Sequence, residues 1–407
     1  MNQMKIYLLL FLLLSISGFG QKDIKNQILS NFKEIKPLQS NEDNYSDLEV
    51  IGKSIVDSKI VFLGEQDHGD GTTFEAKTRL IKYLHEKKDF DILVFESDFW
   101  GLTTSWDKFQ SDGFNINQIK ENTYKIWSEC EQVQELFNYI EKSYLSNDQL
   151  IVSGMDCNHF LVNSKKNYKF ELTKFMQDQP IYLNDTIESN SFIRVASNLI
   201  QEVYSNSKNQ NETPEIDKSL FYNYIDKLIP TITDSFWKQE LINLKGTALF
   251  IWSNGNLTIR DEYMAKNLLW LYNEKFKGRK IIVWAHNLHV AKNIHSVIPN
   301  YKTSVGNEIY NQIKEKIYIL GFTSLEGSFK RTNYNEIIEI HKPNKNSFES
   351  YVSSLNYNFG FMDLKTLTQK SNFKMSGIFH NSPIKANWST IFDGIFFIKE
   401  MKGCDKN

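Results

Sequence analysis

The stretch Val61-Phe62-Leu63-Gly64-Glu65-Gln66-Asp67-His68 sets an apolar run directly before a glycine, a carboxylate and a histidine. A second stretch far along the chain, Ile281-Ile282-Val283-Trp284-Ala285-His286-Asn287-Leu288-His289, repeats the arrangement with two histidines. Short, unbroken runs of branched and aromatic residues read as strands buried on both faces, the kind that build parallel sheets. Ligands of open α/β sheets bind outside the carboxyl ends of the strands, so polar groups just past such runs can meet in one cleft. Ile92-Leu93-Val94-Phe95-Glu96 delivers a further carboxylate to a strand end.

Working outward, short apolar runs alternate with longer amphipathic stretches, the pattern of βαβ units. Strands are expected at Lys59–Leu63, Ile92–Phe95, Leu150–Ser153, Lys280–Trp284 and Ile317–Phe322. Phe74–Lys87 and Glu131–Tyr144 each carry one apolar face and fit crossover helices. From about residue 160 to 278 helical patterns follow one another without a convincing strand: one begins at Pro214, one spans Phe236–Trp252 and one Leu257–Phe276. The expected fold is therefore α/β, a mostly parallel central sheet flanked by helices, with a largely helical insertion over the strand carboxyl ends. Residues 21–159 and 279–407 form the two parts of the α/β domain, and 160–278 the insertion or lid. Beyond Gly327, segments near Ile337, Tyr357–Met362 and Ile391–Ile398 read as further strands completing the sheet, with antiparallel pairing among the options.

Residues 1–20 are set apart from the fold. Lys5 precedes the apolar stretch Ile6–Ile16, and the small residues Ser17, Gly18 and Gly20 offer a cleavage point before Gln21. This is the form of a secretory signal peptide, so an exported protein, periplasmic or secreted, is expected, with no membrane span once the leader is removed. Removing the leader takes away one lysine and no acid, leaving 46 basic and 49 acidic residues and a formal charge of −3. The charges are interspersed, which gives no footprint for nucleic acid. Cys130, Cys157 and Cys404 are too few for a disulfide framework, although Cys130 with Cys157 is a conceivable single bridge. The sequence does not set an oligomeric state.

Ester hydrolysis needs a base with a pKa near the working pH, a stabiliser for the oxyanion and a proton donor for the leaving alkoxide. His68 is the candidate base, with Glu65 or Glu96 orienting its ring. Lys77, nine residues further along the expected helix, and His286 and His289 are candidates for the oxyanion and leaving group. Asp156 at the end of the third strand and Arg260 on a late helix are candidate substrate contacts, beside the plainer readings of helix cap and salt bridge. His85, His159, His295, His341 and His380 show no convincing partners. No Gly-x-Ser-x-Gly elbow follows an expected strand, which argues against a serine hydrolase, and no phosphate loop or dinucleotide fingerprint is present. The same histidines and carboxylates are an acceptable ligand set for a divalent metal, so metal-dependent hydrolysis is the main alternative, although no His-Glu-x-x-His spacing occurs. A third reading is a non-catalytic exported ligand-binding or polysaccharide-pathway accessory protein.

Several of these motifs, in this order, resemble the erythromycin esterase family: Gly64-Glu65-Gln66-Asp67-His68-Gly69, the helix with Lys77, Leu80, Ile81, Tyr83 and Leu84, Phe95-Glu96, Arg260-Asp261 with Met264 and Asn267, Trp284 to Val290, and Leu320 to Thr323 through Gly327-Ser328-Phe329. The resemblance implies cleavage of an ester or macrocyclic lactone by water, without a covalent intermediate, a metal or another cofactor. It implies His68 as general base, Glu65 and Glu96 as its supporting carboxylates, His286 and His289 as the second histidine pair, and Lys77 where the family carries a basic side chain. The partner implied is a small-molecule ester or lactone. Thr72 stands where the family commonly has an acid, so the resemblance leaves open whether a macrolide is the substrate.

Overall fold

The computed structural model describes residues 23–36, 44–146, 148–202, 213–343, 345–367 and 371–406; the expected leader lies outside them. At its centre is a sheet of nine strands: β1 (Lys33–Ile35), β2 (Ile60–Leu63), β3 (Phe90–Asp98), β4 (Ile151–Asp156), β5 (Lys280–Trp284), β6 (Ile317–Phe329), β7 (Ile338–Ile340), β8 (Phe359–Asp363) and β11 (Gly394–Met401). β9 (Phe373–Met375) and β10 (Ile384–Ala386) form a separate antiparallel hairpin. The order is β1-β8-β11-β6-β2-β5-β3-β4, with β7 beside β6. Every pair from β11 through to β4 is parallel, and β1, β7 and β8 add antiparallel pairs at one side.

The unbroken apolar runs follow from burial on both faces. Along β2, Val61 and Leu63 pack with Leu80, Leu84, Val133 and Leu136 of the Gly71–Lys88 and Glu131–Leu145 helices. Ile60 and Phe62 pack the other way, with Met264 and Leu268 of the Leu257–Trp270 helix and with Val305 and Ile309. Alternate residues of a strand point to opposite faces, so a doubly covered strand has no polar position to spare. Each fully buried side chain of this size contributes about 1.5–3 kcal/mol of apolar burial.

Two expected strands run longer than the sequence suggests. β3 extends to Asp98, and its register against β4 shifts between Phe95 and Asp98, a bulge that re-aims the Glu96 side chain at the strand end. β6 continues to Phe329 because β7 and β11 both pair with its second half. The helix Phe99–Asp112, absent from the sequence reading, is packed from several sides and lacks a clean apolar stripe; Asp98 caps it by accepting from Gly101 N at 2.7 Å. Leu257–Phe276 divides into an α-helix ending at Trp270 and a π turn over Leu271–Lys275.

Among the described residues, those between β4 and β5 contain helices and no strand. Tyr168, Phe192, Tyr224 and Leu241 give these helices a core of their own, which Trp100 joins. They are tied to the carboxyl end of β4 by polar contacts: His159 Nε2 lies 2.6 Å from Glu240 Oε1, and Asn267 donates to the Met155 carbonyl at 2.9 Å. No helix among the described residues is long and apolar enough to cross a membrane.

The cysteine pairing differs from the expectation. Cys130 is bonded to Cys404, and Cys157 is a buried free thiol beyond β4. The chain's last segment returns to the start of the Glu131–Leu145 helix, where Glu131 N donates to the Asp405 carbonyl at 2.9 Å, and Cys404 N donates to the Gly69 carbonyl at 3.1 Å. The bridge therefore fastens the C-terminal segment beside the His68 turn, a juxtaposition that Cys spacing does not reveal. Cys404→Ser is expected to lower unfolding free energy by about 2–5 kcal/mol in urea denaturation of the non-reduced protein, since the crosslink closes a long loop. An unchanged midpoint would remove the bridge's stabilising role.

Candidate active site

The turn after β2 is held by the turn after β5. Asn287 N donates to the Glu65 carbonyl at 2.7 Å, and its side chain bonds Phe322 N and O and the Gly377 carbonyl. Gly64 is required at this close approach, because a Cβ there would overlap Asn287 Oδ1. The strand ends thus fix Glu65, His68, His286 and His289 relative to one another.

Glu65 is fully buried and shared three ways. Its Oε1 lies 2.8 Å from His68 Nδ1 and accepts from Trp127 Nε1 at 3.0 Å, while Oε2 accepts from Lys77 Nζ at 2.6 Å. Burial alone would push its pKa up, but Lys77 and His68 outweigh burial and hold it below the ordinary range. Lys77 is drawn down to about 8 by burial, against the pull of Glu65, and both groups remain mostly ionised at neutral pH. Its ammonium also lies 4.1 Å from the centroid of the Trp284 ring. Lys77 is thus buried beneath Glu65 and does not face back into the cleft, as its helical spacing had suggested.

His68 is the exposed member of this group, with 20% of its side chain open. Its Nδ1 faces Glu65, and among the described residues no group bonds Nε2. The ring stands edge-on to Trp127 and His286, with centroids 5.4 and 5.2 Å away.

His286 is committed at both nitrogens. Nδ1 accepts from Leu288 N at 2.9 Å, which leaves Nε2 to carry the hydrogen donated to the Gln66 carbonyl at 2.8 Å. Burial, with His68 and His289 nearby, lowers its pKa to about 3, so the ring is neutral.

Glu96 serves the other histidine rather than His68. Its Oε2 accepts from His286 N at 3.0 Å, and its Oε1 lies 2.8 Å from Arg260 Nη2 and 3.3 Å from His289 Nε2. Burial would raise it, but His289 and Arg260 bring it well below the carboxylate range. Asp261 Oδ1 meets His289 Nδ1 at 2.7 Å, and its Oδ2 accepts from the Tyr301 hydroxyl. Burial works against a charged His289, yet Asp261 and Glu96 outweigh it and raise its pKa. Burial pushes Asp261 upward as well, the opposite preference for the same pair. The raised His289 is the direction the geometry favours, because the ring lies between two carboxylates.

Arg260 and Asp156, expected as substrate contacts, are joined to each other: Arg260 Nη2 reaches Asp156 Oδ2 at 2.6 Å, and the Tyr124 hydroxyl donates to the same oxygen. Their polar atoms brace Glu96 and His289. Among the described residues no three His, Cys, Asp or Glu side chains converge as a metal ligand set.

Several participants were invisible in sequence. Trp127, in the short helix Lys125–Ser128, carries no sequence signal of its bond to Glu65. His380, read as lacking a partner, lies 2.7 Å from Asp70 Oδ1, and Asp70 also accepts from Gln66 N and Asp67 N within the His68 turn. His159 pairs with Glu240, and His85 Nδ1 meets the Tyr139 hydroxyl at 2.6 Å. Thr72, at the position where an acid was looked for, accepts from Lys402 N at 2.9 Å and docks the end of β11.

Residues 248–401, which include Arg260, His286 and His289, match the family model described as Erythromycin esterase. The Escherichia coli erythromycin esterase type II is 22% identical over 408 residues, covering 89% of this chain and 94% of that one. The chain is similar to the erythromycin esterase family, whose model its C-terminal part matches. YbfO of Bacillus subtilis (strain 168), which carries a provisional hydrolase name, is also 22% identical, over 81% of this chain and 80% of its own length. The fold is shared with two solved structures: a succinoglycan biosynthesis protein, with TM-score 0.75, 20% identity and coverage of 94% of this chain and 98% of that one, and a histidine-to-asparagine variant of the erythromycin esterase EreC in its open conformation, with TM-score 0.67, 14% identity and coverage of 91% and 98%. These similarities support a hydrolase related to that family.

The neutral His286 leads to a pH prediction. Unfolded, the imidazole takes up its proton near 6.5; folded, it does so near pH 3. Between those values the unfolded chain binds the extra proton, so stability falls as pH falls, by about 1.4 kcal/mol for each pH unit of full difference. His286→Asn should flatten the decline of melting temperature between pH 6.5 and 4 relative to wild type. Parallel curves would exclude His286 as a source.

Proposed function

We propose that this protein cleaves a carboxylic ester or lactone with water activated by His68. The observation that carries the reading is the polarised imidazole: Nδ1 is held by a buried carboxylate, while Nε2 has no partner among the described residues and the side chain is partly open to solvent. With its hydrogen on Nδ1, His68 presents a lone pair at Nε2 and can take a proton from water as the water attacks the carbonyl. Glu65 stabilises the imidazolium that forms. Lys77 and Trp127 hold Glu65 in place and are positioning residues in this scheme.

His289, supported by Asp261 and Glu96, is assigned to the developing oxyanion and to protonation of the departing alkoxide. His286 separates the two reactive imidazoles and fixes the Gln66 carbonyl. Arg260 with Asp156 keeps Glu96 ionised and oriented. A macrolactone falls within the substrate class, by analogy with the erythromycin esterase relative. The metal-dependent alternative is less favoured because each first-choice ligand atom other than His68 Nε2 already bonds a protein group. Export is part of the proposal, supported by the signal-like N-terminal sequence and by the Cys130–Cys404 bond, which is at home in an oxidising compartment.

A mass-detected screen of the mature protein against esters and lactones, macrolides included, tests the reading. His68→Asn should reduce kcat by about 10²–10⁴-fold, the range typical for loss of a general base, while circular dichroism shows a folded protein. Retained turnover in that folded variant would remove His68 from the role. Turnover should also survive chelation; stoichiometric zinc with chelator-sensitive hydrolysis would replace this mechanism with a metal-hydroxide one.

A further inference from the structure

We propose that Phe379 is a specificity-determining residue that seats a flat apolar ring of the substrate beside the scissile bond, an inference resting on the hydrolase reading of the His68 site. Residues 376–381, within the connection from β9 to β10, are pinned to both strand-end turns. The Ser376 carbonyl accepts from Gln66 Nε2 at 2.5 Å, the Gly377 carbonyl from Asn287 Nδ2 at 2.9 Å, and His380 Nε2 meets Asp70 Oδ1 at 2.7 Å. Asn381 completes the attachment, accepting from His341 N at 2.7 Å and donating to the Glu339 carbonyl at 2.9 Å.

Within this fastened loop Ile378 is fully buried and His380 is 8% exposed, yet Phe379 between them is 39% exposed. A segment held at so many points does not expose a phenylalanine by fraying. Its ring lies 5.3 Å from the ring of His286, which is 5.2 Å from that of His68, which in turn is 5.4 Å from that of Trp127. The open base thus stands in a row of rings ending in an apolar surface still partly wetted. Phe379 has no polar atom to contribute to proton transfer. It offers an aromatic face, which favours stacked or edge-on contact with another ring over contact with an open chain.

The test compares two acetates of primary alcohols, 2-naphthylmethyl and n-butyl, together with calorimetric binding of the non-hydrolysable 2-naphthylmethyl ethyl ether. The wild type should prefer the naphthylmethyl ester, and Phe379→Ala should cut that preference in kcat/KM by about 10-fold or more, mainly through KM, as expected when a hydrophobic contact is lost. Ether affinity should fall in parallel, and Phe379→Trp should restore both. An unchanged ester ratio and unchanged ether affinity in folded Phe379→Ala would overturn the inference while leaving His68-dependent hydrolysis standing. Phe379-dependent ether binding with neither ester cleaved would support the aromatic seat and count against the hydrolase reading instead.

Discussion

The site depends on one buried carboxylate. Glu65 is fully buried, and Lys77, Trp127 and His68 meet its charge with three donors to its two oxygens. An isolated carboxylate at this depth would instead take up a proton and cease to polarise the imidazole. Lys77 keeps the charge in place, and the charge keeps His68 in one tautomer. Because the lysine is itself buried, removing either partner would strand the other in a low-dielectric setting, where an unpaired charge is costly.

A second buried cluster stands beside the first. Glu96, Asp156 and Asp261 surround Arg260 and His289, and two tyrosine hydroxyls cap the outer carboxylates. The two clusters meet through His286, whose backbone N–H belongs to Glu96 and whose ring belongs to the His68 turn. The neutral His286 ring stands beside His289, whose proton affinity its carboxylate neighbours raise, so two adjacent imidazoles are tuned in opposite directions by their surroundings.

Much of this was legible because local rules govern it. Val61 to Leu63 and Ile281 to Trp284 could only be doubly buried strands, and their parallel pairing followed from the helical patterns between them. Once those strands were placed, Glu65, His68, Glu96, His286 and His289 had to gather at one end. What the pattern could not give was direction. Lys77 was expected in the cleft because helical spacing fixes a face, but spacing does not say that a carboxylate will intercept the ammonium first. Cys130 was paired with the wrong cysteine because chain proximity is a poor guide when a terminus folds back across the molecule.

By itself the sequence determined the sheet, its main helices and the chemical types brought to its carboxyl edge, since strand burial and helix amphipathicity are periodic properties of neighbouring residues. Only the tertiary structure decided which carboxylate serves which histidine, that Arg260 and Asp156 face inward, and that Trp127 and His380 bond the residues of the His68 turn. Those assignments rest on contacts between segments hundreds of residues apart, as the Gln66 bond to Ser376 shows. Long-range contacts of that kind are set by how the whole core closes, and no local period in the chain encodes them.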